Sequence, residues 1–124
     1  MDISNLNIEL ERIDTYIESQ REIMRRGEAL ARLKKNQDFV DVIQDYYLND
    51  VATKLFAILT NPSSGAEFTD EEIHRKLDAI KHLKEHIGTP DYKGTIEIDS
   101  DNAPQAIARE EDYRKAVTAE NGDS

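Results

Sequence analysis

The chain has 124 residues, enough for one small domain, and a net charge of −10 from 26 acidic and 16 basic residues, a balance that argues against a phosphate-binding surface and for solubility or a basic partner. It contains no cysteine, which excludes a disulfide framework, a thiolate metal site and thiol redox chemistry. Its longest apolar run is the five residues Leu55 to Leu59, too short to cross a bilayer, and its first residues lack the basic-then-apolar order of a signal peptide, so a soluble, unexported protein without membrane association is expected.

From Ile3 the apolar or small positions Leu6, Leu10, Ile13, Ile17, Gln20, Met24, Gly27 and Ala31 alternate between spacings of three and four. That is a heptad-like seam and predicts one long helix over about 3–35. Acids dominate its start and Arg25, Arg26, Arg32, Lys34 and Lys35 its end, an order that complements the helix dipole. A helix of that length would reach ~50 Å, longer than the short helices available to cover it. An uncovered stripe of Leu6, Leu10, Ile13 and Ile17 is therefore the expected self-association surface of a homo-oligomer.

Asn36 or Asp38 can cap a second helix carrying Phe39, Val42, Ile43, Tyr46 and Tyr47, and Leu48-Asn49-Asp50 reads as a further stop and start. Two short helices with a bend near Asn49 are expected, with one continuous kinked helix as the alternative. The stripe Ala52, Leu55, Phe56, Leu59 then runs into a loop at Asn61-Pro62-Ser63-Ser64-Gly65. Of the adjacent Tyr46 and Tyr47, one should face the core, and the other, beside Phe39, would make a partner anchor.

Thr69-Asp70-Glu71-Glu72 has the capping-box form, with Phe68 placed to staple against Ile73. Ile73, Leu77, Ile80, Leu83 and Ile87 share a face, and Gly88 followed by Pro90 ends the pattern, so a helix over 70–87 is predicted. After Gly88 the chain shows breakers, a short alternation Thr95-Ile96-Glu97-Ile98, and a stretch from Pro104 with little to bury besides Ile107, Tyr113 and Val117. Residues 89–124 hold 9 acidic and 4 basic residues, against 17 and 12 in residues 1–88. The expected architecture is all-α: a small helical bundle or hairpin over 1–88 with a long N-terminal helix, and a partly disordered acidic C-terminal arm over 89–124.

No residues group into a catalytic pattern. Asp78, His82 and His86 lie one turn apart, but a single solvent-facing stripe gives a metal no second shell, and surface histidines near a helix C-terminus are the simpler reading. The carboxylates are spread over solvated faces, the serines lie outside any nucleophile elbow, and the glycines build no phosphate loop. The Arg25 to Lys35 cluster is interleaved with Glu22, Glu28 and Asp38, which opposes nucleic-acid binding. The chain reads as a non-enzyme with neither cofactor nor metal.

The stretch "EALARLKKNQDFVDVIQDYYLNDVATKLFAILTNP", followed by "EEIHRKLDAIKHLKEHI" and by "EEDYRKAV", resembles small acidic helical proteins encoded in the head and packaging gene modules of tailed bacteriophages. The resemblance covers roughly residues 26–117 and rests on Leu30, Leu33, Phe39, Ile43, Tyr46 or Tyr47, Leu55, the helix 73–87 and Tyr113-Arg114. Tyr46 departs from the glycine of that pattern. The resemblance implies a virion structural or head-assembly component, in the virion or the host cytoplasm. Its expected partners are capsid or other virion proteins, contacted through Phe39, Tyr46, Tyr47, Tyr113 and Arg114. Two alternatives stand beside it: an acidic inhibitor occupying a basic surface of a host nucleic-acid-binding protein, and a helical sponge holding a small charged ligand among Arg25, Arg26 and Arg32 of adjoining subunits.

Overall fold

The computed structural model describes residues 2–61 and 68–122 and is all-α. The loop expected at Asn61 falls, from Pro62 onward, outside the described residues. Helix α1 spans Ile3–Lys34, with Arg32 and Lys34 in its last turn. Asn36 caps the next helical run in an extended conformation, its Oδ1 accepting the Phe39 N–H at 3.1 Å.

That run proceeds as α2 (Gln37–Phe39), a π-helix π1 (Val40–Val51) and α3 (Ala52–Thr60), with right-handed helical backbone at both junctions. The expected stop and bend near Asn49 is absent. Its carbonyl accepts the Ala52 N–H and the Thr53 hydroxyl, the latter at 2.9 Å, so the passage from wide to normal winding leaves this carbonyl satisfied. The wide winding has a sequence cause. Phe39, Ile43, Tyr47, Val51, Leu55 and Leu59 recur at every fourth position, and each is buried or packs on the buried core. In an α-helix a step of four overshoots one turn by about 40°, so five such steps would carry the stripe to the far side of the helix. An i→i+5 ladder winds with more than four residues per turn, so the same step falls short of a turn. The shortfall in π1 offsets the overshoot in α3 and keeps the stripe on one face.

Helix α4 (Asp70–Ile87) begins and ends where its sequence predicts. Thr69 Oγ1 accepts the Glu72 N–H at 3.2 Å, and Gly88, at φ 80°, closes the far end by donating its N–H to the Lys84 carbonyl at 2.7 Å. A turn follows in which Thr89 and Tyr92 exchange backbone hydrogen bonds. Helix α5 (Thr95–Gly122) comes next, with Pro104 inside it.

The chain divides into two compact units. One is residues 29–97. Its core joins Leu30 of α1, Leu48 of π1, Leu55 of α3 and Ile73, Ile80 and Ile87 of α4. Both π1 and α3 pack on α4, and Ile96 packs on the same core. Gly88 and Gly94 pass so closely that a Cβ on either would strike backbone atoms of the other's strand of chain.

The other unit pairs residues 1–28 with 98–124. Here the sequence expectation of a partly disordered arm is corrected: α5 is ordered helix and runs antiparallel to α1, with Ser100 against Gly27 and Glu110 and Arg114 bonded to Arg12 and Asp14. Its inward positions Ser100, Ala103, Ile107, Glu110 and Val117 follow a heptad that matches the α1 seam. Counted alone, its few apolar residues looked insufficient. Paired, Ala103 is 0 % and Val117 5 % exposed. The same pairing covers the α1 stripe that was expected to be open: Ile13 is 0 % and Ile17 5 % exposed, while Leu6 and Leu10 are half-buried.

Candidate interaction surfaces

Five residues were expected to contact partners, and the fold treats them differently. Phe39 and Tyr47 belong to the period-four stripe and pack against the core of the 29–97 unit. Tyr46, one residue before Tyr47, points outward and is 54 % exposed. Val42, one winding before it, is 59 % exposed, and Phe56 of α3 60 %. Sequence reading did not set Val42 apart from its inward neighbours because it applied α-helical spacing to the whole segment, and it placed Phe56 in the stripe with Leu55 and Leu59. A period of four separates 43 and 47 from 42 and 46.

Tyr113 and Arg114 sit within a charged network on the α1/α5 pair. Arg12 donates to Glu9 at 2.9 Å and to Glu110 at 2.7 Å, and its guanidinium lies 6.0 Å from the centre of the Tyr113 ring. Arg114 Nε donates to Asp14 Oδ1 at 3.0 Å. The Arg12 hydrogen bond holds the Glu9 carboxyl below its ordinary range. The Glu9 charge in turn raises the Tyr113 phenol, since a phenolate there would face a carboxylate. The two acids on Arg12 raise it further above its already high range. Charge flanking a seam was the available sequence signal for this network, and it could be read only once α5 was known to face α1.

A depression of about 410 Å³ opens beside π1 in the 29–97 unit, lined among others by Gln44, Asp45 and Asn49 of π1, Lys84 of α4, and Asp91 and Tyr92 of the turn. It mixes both signs of charge with two amides over the buried Leu48. Along α4, His82 Nδ1 lies 3.8 Å from Glu85. Among the described residues no three His, Asp or Glu side chains come close enough together to hold a metal ion. Arg25 is engaged by Glu22 and Glu18, while Arg26 and Arg32 are exposed. No described helix is long and apolar enough to cross a membrane.

No family model, no curated protein and no solved structure matches the chain.

Proposed function

We propose that this protein is a non-catalytic protein-interaction module, a component of a bacteriophage head or its assembly, that engages virion proteins through the solvent face of the 37–60 helical run. The observation that carries the reading is the exposure of Val42 and Tyr46, at 59 and 54 % and one winding apart on one flank, and of Phe56, at 60 % on the other, along a run whose inward stripe already fills a core. Large apolar and aromatic side chains held outward on ordered helix act as anchors for a partner, because they bring contact area at small cost in conformational freedom. The link to phage heads rests on the residue pattern from Glu28 to Val117.

The test is co-sedimentation of the purified protein with capsid and portal proteins from the same genome. Association should survive about 1 M salt, where the Debye length is ~3 Å, and should weaken at least tenfold in Tyr46→Ala/Phe56→Ala. Absence of association overturns the proposal.

A second reading, an acidic occupant of a basic surface, is favoured by charge. The unit formed by residues 1–28 and 98–124 carries 14 acidic and 7 basic residues, net −7. Binding that disappears as salt rises would select it instead.

A further inference from the structure

Lys84 is withdrawn from solvent without an ionic partner. Among the described residues, Lys34 and Lys84 are the only lysines or arginines that are half-buried. Lys34 is bonded to Glu97, whereas the Lys84 side chain forms no ion pair or hydrogen bond with a described residue. An ammonium that gives up hydration needs an anion or acceptor in its place. Here the space beside it is open, because Lys84 lines the depression of about 410 Å³ between π1, the end of α4 and the turn that follows.

The rest of that lining is unengaged in the same way. Gln44, Asp45, Asn49 and Asp91 line the depression too, and none of their side chains bonds a described residue. Asn49 and Asp91 act only through the main chain, by a carbonyl and an N–H. The depression therefore offers one ammonium, two carboxylates and two amides over an apolar floor at Leu48, 2 % exposed, beside Tyr92, 48 % exposed. Its walls are fixed: Leu48 belongs to the core, and the turn is closed by the paired bonds of Thr89 and Tyr92 and by the Gly88/Gly94 contact. A preformed hollow of this size with a few convergent polar groups is suited to a small molecule.

The charges narrow the choice of molecule. A simple anion would face two carboxylates for one ammonium, and a simple cation would leave Lys84 unmet. A molecule carrying both signs answers each, and the amides of Gln44 and Asn49 can donate to its carboxylate or accept from its ammonium. We infer that this depression binds a small zwitterion of the amino-acid class with an apolar side chain, its carboxylate toward Lys84, its ammonium toward Asp45 and Asp91, and its side chain over Leu48. Such binding does not depend on which protein the 37–60 run engages.

Titration of the full chain with L-leucine, followed by amide NMR shifts, tests this. Gln44, Asn49, Thr89 and Tyr92 should shift saturably at millimolar concentration or below, and acetate and ethylamine should bind at least tenfold more weakly. Lys84→Gln, and separately Asp45→Asn/Asp91→Asn, should each weaken leucine binding at least tenfold with an unchanged thermal melt, since these side chains lie outside the core. Acetyl-leucine, which keeps the carboxylate but not the ammonium, separates a free amino acid from the end of a polypeptide. Absence of saturable shifts, leucine binding indifferent to the substitutions, or binding of acetate, ethylamine or acetyl-leucine as tight as that of leucine overturns the inference. If Lys84→Gln unfolds the protein, the aspartate pair decides alone.

Discussion

Arg114 donates through Nε to Asp14 at 3.0 Å, joining residues one hundred positions apart in sequence. The bond fixes α5 alongside α1 without supplying most of the holding energy, because both side chains are half exposed, at 45 and 58 %. We predict that Arg114→Ala lowers stability by about 0–1 kcal/mol, whereas Ile13→Ala, at a fully buried position, lowers it by roughly 2–5 kcal/mol. Chemical denaturation ranks them, and a larger effect at Arg114 would show that charge, not burial, holds the pair.

Gly27 of α1 meets Ser100 of α5 so closely that an added Cβ would overlap the serine Cβ and Oγ. Alanine is favoured over glycine inside a helix by about 1 kcal/mol, but forcing the helices apart costs typically 1–3 kcal/mol. Gly27→Ala should therefore destabilise the pair. Ser100→Gly in the same chain should restore it, and a stabilising Gly27→Ala alone would contradict the close approach.

Tyr113 should titrate above the ordinary phenol value of about 10, chiefly because Glu9 faces it. A raised folded pKa means that the contribution to stability is complete below pH 10 and disappears as pH rises through the folded value. Glu9, held low mainly by Arg12, behaves in the opposite sense: its contribution is present above its ordinary value and is lost as pH falls through the lowered one. The difference in phenolate absorbance between wild type and Tyr113→Phe isolates the titration. Glu9→Gln should move its midpoint back down, and an unmoved midpoint would reject Glu9 as the cause.

Neighbouring residues on π1 should respond unequally. Ile43 packs on the core and Val42 is 59 % exposed, so Ile43→Ala should cost about 2 kcal/mol or more and Val42→Ala about 0.5 kcal/mol or less. Equal losses in thermal melts would mean that the period-four stripe does not face α4.

Thr69→Ala removes the oxygen that accepts the Glu72 N–H and should cost about 1 kcal/mol. Leu55→Ala, at 4 % exposure, should cost roughly 2–5 kcal/mol. The reverse order in urea denaturation would remove Leu55 from the centre of its core.

What could be read in advance was local. Thr69, Gly88 and Asn36 carry their instructions in their own side chains or in the lack of one, and α4 and the start of α2 appear where those residues place them. Helix α5 was hidden because its stabilisation comes from α1. Ser100 and Glu110 at inward positions make its seam look polar, and Pro104 suggests a helix start where the structure has a helix interior. The π-helix was hidden by the habit of testing only the 3.6 period, although six apolar residues at strict fourfold spacing were in view. Exposure along the run was half legible: Tyr46 and Tyr47 were named together, and only the winding shows that Tyr47 and Phe39 pack on the core while Tyr46 and Val42 face solvent.

The pairing of α1 with α5 also sets an order of events during synthesis. The 29–97 unit closes through contacts among successive elements and can form as soon as those residues leave the ribosome. The α1/α5 unit must wait for residues about one hundred positions downstream of their partners, and contacts of that separation are slow to find because loop closure precedes any reward. The bond between Lys34 and Glu97 shortens the search. Once the 29–97 unit has folded, the chain re-emerges beside the last turn of α1, and α5 can zip along it from Ser100 toward Val117. Until then the stripe of Leu6, Leu10, Ile13 and Ile17 stays bare on every nascent chain, so neighbouring ribosomes on one message would present it to each other at high local concentration.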